Sequence, residues 1–96
     1  MRNVVAAAIG FASIAAALVA SAEPPAGAAA CTGCHPATTR VTSPVPRLNG
    51  LDRAAIARAM QDFRSGARTA TVMDRIAKGF TDAEIQTIAA WYAAQK

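Results

Sequence analysis

Cys31-Thr32-Gly33-Cys34-His35 decides how this chain is read: two thiols three residues apart, with an imidazole directly after the second, is the spacing that attaches haem c. Each thiol adds to one vinyl group of the porphyrin while the adjacent His coordinates the iron from one side. A helical turn keeps all three groups in reach, and covalent attachment retains the cofactor in a protein too small to enclose it. The competing chemistries fit less well. A structural zinc site needs four N or S ligands, and the chain contains only Cys31, Cys34 and His35. A thioredoxin-like dithiol sits at the strand-to-helix junction of a βαβ unit, and no stretch here reads as a central parallel strand. A structural disulfide across so short a loop contributes little loop-closure stabilisation.

Upstream of the motif, Met1-Arg2-Asn3 forms a positive n-region, Val4 to Val19 an apolar h-region, and Ala20-Ser21-Ala22 an A-x-A cleavage site. Residues 1–22 are therefore expected to be a secretory signal peptide, cleaved after Ala22. Val4 to Ala22 approaches the ~20 residues of a membrane span, so an uncleaved anchor is the alternative. The Ala-rich composition, Gly10, Ser13 and the lack of stop-transfer charges favour cleavage. Export agrees with the motif, because bacteria attach c-type haem outside the cytoplasm. A periplasmic protein is the expectation, with no membrane span after cleavage.

Residues 23–96 then form one domain, too short to build more than a marginal apolar core without a staple, a part that a large apolar haem fills. The hydrophobic fraction of 53% is inflated by the leader and does not indicate a membrane domain. Of the ten Lys and Arg only Arg2 lies in the leader, and of the six Asp and Glu none does. The remaining mild positive charge, before subtraction of the haem propionates, comes with no nucleic-acid motif or aromatic interleaving, so nucleic acid is not an expected partner.

Within this domain, Glu23 to Gly27 reads as a loose lead and Ala28 to Cys31 as the start of a short helix, stopped or bent by Pro36. Residues 37–50 are rich in Thr, Ser, Pro and Gly and read as a loop. Asp52 is an N-cap for a helix to Arg64, with Ser65-Gly66 as its stop. Ile56, Ala59, Met60 and Phe63 supply its apolar face, while Arg53, Arg58, Asp62 and Arg64 read as solvated. After the loop Ala67 to Val72 comes a short turn or helix around Asp74 to Lys78, closed by Gly79. Thr81-Asp82-Ala83-Glu84 is a capping box opening a last helix to about Ala94, with Ile85, Ile88, Ala89 and Tyr92 as its buried stripe and Trp91 flanking it.

The far face of the iron needs a second ligand if it is to be closed for electron transfer rather than open to small molecules. With His35 used, Met60 and Met73 remain once Met1 leaves with the signal peptide. Met60 lies within an apolar stripe, where Met is usually core filler. Met73 follows a loop that can bring its sulfur to the iron, which favours it. Arg40, Arg47 and Arg75 are candidates to neutralise the propionates, the alternative for each being a simply solvated surface side chain.

The residues Phe63-Arg64-Ser65-Gly66, Thr71 to Phe80 and Ile88-Ala89-Ala90-Trp91-Tyr92, together with the haem motif, resemble class I cytochromes c. Within that group the chain is most similar to the small haem subunits of flavocytochrome c sulfide dehydrogenases. The resemblance runs from Cys31 to Tyr92 and implies an all-α fold, a small class I cytochrome c of three to four short helices around one covalently bound haem c. It implies that the Met before Ile-Ala-Lys-Gly, here Met73, is the distal iron ligand opposite His35. Pro46-Arg47-Leu48-Asn49-Gly50 resembles the P-x-L-x-G loop. There the Pro carbonyl, here of Pro46, accepts the ring N–H of the proximal His, and Leu48 packs on the haem. Such a bond orients the ring and raises its donor strength. Two departures stand out: Pro36 replaces the Gly that often follows the haem His, and the short lead implies an N-terminal helix of only one or two turns.

In function, the resemblance implies a subunit that is no enzyme by itself. It would accept single electrons from an FAD-containing sulfide dehydrogenase partner and pass them to a soluble acceptor. The alternative is a diffusible periplasmic cytochrome c without a dedicated enzyme partner. A catalytic haem protein such as a peroxidase would need an open sixth position and a polar distal group, and no second His is present.

Overall fold

Four helices and no strands make up the regular structure of the described residues, which in this computed structural model are 23–96 together with Gly10; the expected leader over 1–22 otherwise lies outside them. The all-α expectation holds. Helix α1 (Ala28–Cys31) is a single turn, as the short lead implied. It ends at Cys31 rather than running to Pro36: the Thr32 hydroxyl donates back to the Ala29 carbonyl at 2.8 Å, and Gly33 N–H bonds Ala30 O at 3.2 Å. Cys34 and His35 follow in a tight turn, with both of their amides donating to Cys31 O at 3.2 and 2.9 Å. Of the haem motif only Cys31 is thus helical, and the four residues from Thr32 to His35 form the turn that follows.

Helix α2 (Arg53–Ser65) starts where Asp52 accepts the Ala55 N–H at 2.9 Å. It stops at Gly66, whose φ of 83° lies in the left-handed region open to glycine at little cost. Arg64 corrects the expectation of a solvated face. It donates to the Phe80 carbonyl at 3.0 Å and forms an ion pair with Asp82, tying the end of α2 to the start of the last helix. Helix α3 (Met73–Ala77) begins one residue earlier than expected, so Met73 is its first residue rather than part of the preceding loop. Gly79 does not end it by a positive φ; Lys78 continues in right-handed geometry, and Gly79 and Phe80 N–H close a turn on Ile76 O and Ala77 O. Helix α4 (Asp82–Ala94) opens with the expected capping box: Thr81 Oγ1 accepts from Glu84 N–H at 3.2 Å, and Thr81 N–H donates to Glu84 at 3.3 Å. Such a reciprocal cap satisfies two otherwise orphaned amides.

Helix α2 packs on both α3 and α4. The core is Ala28, Ile56, Ala57, Ile85, Ile88, Ala89 and Tyr92, with Cys31, Leu48, Met60, Phe80 and Trp91 packed around it. All of the stripe expected on α4 is buried. On α2 the buried positions are Ile56 and Ala57; Ala59, Met60 and Phe63 are only half-buried, because that side of the helix faces a cleft.

Candidate haem site

Helices α1, α2 and α3 and the loop over 44–51 enclose a cavity of about 870 Å³ lined almost wholly by apolar side chains. That lies near the upper end of the ~300–1,000 Å³ usual for cofactor sites. Cys31, Cys34 and His35 line it together with Pro46 and Leu48 from the loop. Met73 lines it from α3 and Met60 from α2, so every expected haem residue borders the same space. Met60, expected as core filler, is shared between core and cavity.

The loop is held by the chain's C-terminal end. Gly50, at φ 78°, donates its N–H to Tyr92 O at 3.0 Å, and Leu51 N–H closes a turn on Leu48 O at 3.1 Å. A Cβ on Gly50 would come within 3.2 Å of Gln95 O, so glycine also permits the close approach. This places the Pro46 carbonyl 2.5 Å from His35 Nδ1. An N–H at Nδ1 donates to that carbonyl, which leaves Nε2 as the ring nitrogen with a lone pair for coordination.

The residues present fit a haem. Leu51, Val72 and Ile76 are 43%, 48% and 41% exposed, yet all three border the cavity, so an apolar disc seated there would cover surface that otherwise meets water. Cys31 and Cys34 are free thiols. No three His, Cys, Asp or Glu side chains among the described residues converge as a metal cluster. Arg47 Nε, in the loop between Pro46 and Leu48, is buried without a hydrogen-bond partner. Of the cations proposed for the propionates, Arg40, Arg47 and Arg75 do not border the cavity. Arg68 does, and sequence pattern did not single it out.

Tyr92 joins the haem motif to α4. Its hydroxyl donates to the carbonyl of fully buried Ala28, 64 positions away, and also meets Cys31. Burial, reinforced by Cys31, pushes the phenol up from 10.0 to about 12, and burial likewise pushes the Cys31 thiol up. In the folded protein Tyr92 therefore keeps its proton after an unfolded chain has lost it. The stability this provides is fully present below pH 10 and is lost as pH rises through about 12. Guanidinium unfolding followed by Trp91 fluorescence at stepped pH should show that alkaline loss in the wild type and a weaker one in Tyr92→Phe. At neutral pH, Tyr92→Phe should cost about 1–3 kcal/mol, because the Ala28 carbonyl is left unsatisfied.

No protein-family model matches the chain. Over 62 residues it is 42% identical to the "Cytochrome subunit of sulfide dehydrogenase" of Chlorobaculum tepidum, a match over 65% of this chain and 56% of that protein. It is 38% identical over 65 residues to the "Thiosulfate dehydrogenase electron acceptor" of Stutzerimonas stutzeri, covering 66% of this chain and 30% of that protein. With "Cytochrome c-552" of Acidithiobacillus ferridurans the identity is 36% over 62 residues, 65% of this chain and 27% of that protein. The chain thus spans about half the length of the first relative and less than a third of the other two. With an all-α fold and Cys31, Cys34 and His35 bordering one apolar cavity, the chain is a relative of c-type cytochromes, a kinship that implies covalently bound haem c.

Proposed function

We propose that this protein is an extracytoplasmic monohaem cytochrome that relays single electrons, with Cys31 and Cys34 carrying the haem and His35 and Met73 as its axial ligands. The observation that carries this reading is the cavity itself, in which His35, oriented through Nδ1 by Pro46, and Met73 border one apolar space. A haem iron bound by His and Met cycles between ferric and ferrous states at a raised potential. The chain's own residues do the rest: Pro46 fixes the imidazole, Leu48, Ile56 and Phe63 exclude water, and the lip formed by Leu51, Val72 and Ile76 lets electrons in and out at short range. The leader over 1–22, cleaved after Ala22, would deliver the chain to the periplasm. No helix among the described residues is long and apolar enough to cross a membrane.

The electron donor we propose is an FAD-containing sulfide dehydrogenase subunit, with a soluble acceptor downstream. The support is the 42% identity to a protein named as the cytochrome subunit of sulfide dehydrogenase, the FAD being what the resemblance to flavocytochrome c implies. A diffusible carrier is the second reading, supported by the 36% identity to a protein whose name, cytochrome c-552, includes no enzyme. Co-expression with a flavoprotein encoded beside this gene separates the two. A stable complex in which sulfide reduces the haem is the expected outcome. A monomer that sulfide and the flavoprotein leave oxidised would sink the subunit reading.

A further inference from the structure

Arg68 lies in the loop between α2 and α3, with its guanidinium carbon 4.9 Å from the centre of the Phe63 ring. That distance is within the ~6 Å of a cation–π contact. Its backbone N–H donates to Asp62 O at 3.2 Å, which folds the loop back onto the end of α2. Phe63, Arg68, Thr71, Val72 and Met73 all border the haem cavity, and among the described residues Arg68 is the single Arg or Lys that does. The stack over Phe63 keeps this cation beside the cavity instead of leaving it free to extend into solvent.

We infer that Arg68 is a positioning residue for electron transfer: its charge, held by Phe63 at the edge of the cavity that Met73 also borders, favours the reduced state of the haem and so raises the reduction potential. This rests on the His35/Met73 haem reading. Reduction adds one electron and breaks no bond, so the iron centre carries one positive charge fewer afterwards. A fixed cation nearby repels the ferric state more than the ferrous one. Arg68 is exposed, so water and salt screen the effect, and it grows as ionic strength falls. Phe63 contributes by geometry: replacing its ring with Leu would free the guanidinium and weaken the same effect.

The test is potentiometry on the haem-loaded protein at low ionic strength, comparing wild type with R68Q and R68K while the Fe–S charge-transfer band is recorded. R68Q should shift the one-electron equilibrium about threefold toward the oxidised form, about 30 mV at 59 mV per tenfold. R68K, which keeps the charge, should restore most of that shift, and added salt should shrink the difference between R68Q and wild type. The inference is overturned if R68Q leaves the potential unchanged, if R68K shifts as far as R68Q, or if R68Q alone loses the band, since Arg68 would then act by seating Met73. Absence of the band in the wild type would overturn the axial-ligand reading instead.

Discussion

Met73→Ala is expected to open the iron: the ferrous protein should bind carbon monoxide readily, lose its Fe–S charge-transfer band, and fall in reduction potential by more than tenfold in the one-electron equilibrium, at least ~59 mV. Met60→Ala should leave the band in place. The two methionines border the same cavity, so the comparison discriminates between them. Met73 stands at the start of α3, where Val72 provides no side-chain cap and the preceding loop can adjust to the iron. Met60 sits inside a thirteen-residue helix and also packs against the core. Truncating it should therefore cost mainly packing, about 2 kcal/mol, toward the lower end for Met→Ala because the residue is half-buried. A carbon monoxide complex formed by Met60→Ala and not by Met73→Ala would exchange the two assignments.

Removing both attachment thiols, in Cys31→Ala/Cys34→Ala, should yield a haem-free chain that does not fold cooperatively. Left unfilled, the cavity of about 870 Å³ exposes its apolar lining to water, Leu51, Val72 and Ile76 among it. The chain between Glu23 and Lys96 has few other resources: its set of buried residues is small, with four alanines among its members. Far-ultraviolet circular dichroism of the double variant should show reduced helix and a broad thermal change, against a sharp transition in the haem-loaded protein. A sharp transition with full helix in the variant would mean that the core of Ile56, Ile85, Ile88 and Tyr92 is sufficient alone.

What could be read from the sequence was local. Asp52, Thr81 and Glu84 set helix starts through bonds spanning three residues, and Gly66 set a helix end through its own φ; short-range chemistry of this kind is written in residue order. The Cys31 to His35 spacing was legible for the same reason, and α4's stripe followed from a single period. Contacts that depend on tertiary placement were not. Arg64 looked solvated because its partners, Phe80 and Asp82, lie 16 and 18 positions away. The bond from Tyr92 to Ala28 had no local signal. On α2 one apolar stripe serves two purposes, Ile56 in the core and Met60 and Phe63 toward the cavity, which periodicity cannot separate. Arg68 was overlooked because a loop arginine is usually solvated, and only the fold sets it over Phe63.

Intact mass of the protein, exported by a host able to attach c-type haem, tests the central claim most directly. The account predicts residues 23–96 carrying the mass of one haem that acid and organic solvent do not extract. The mass of the bare chain, with haem absent or extractable, would contradict it.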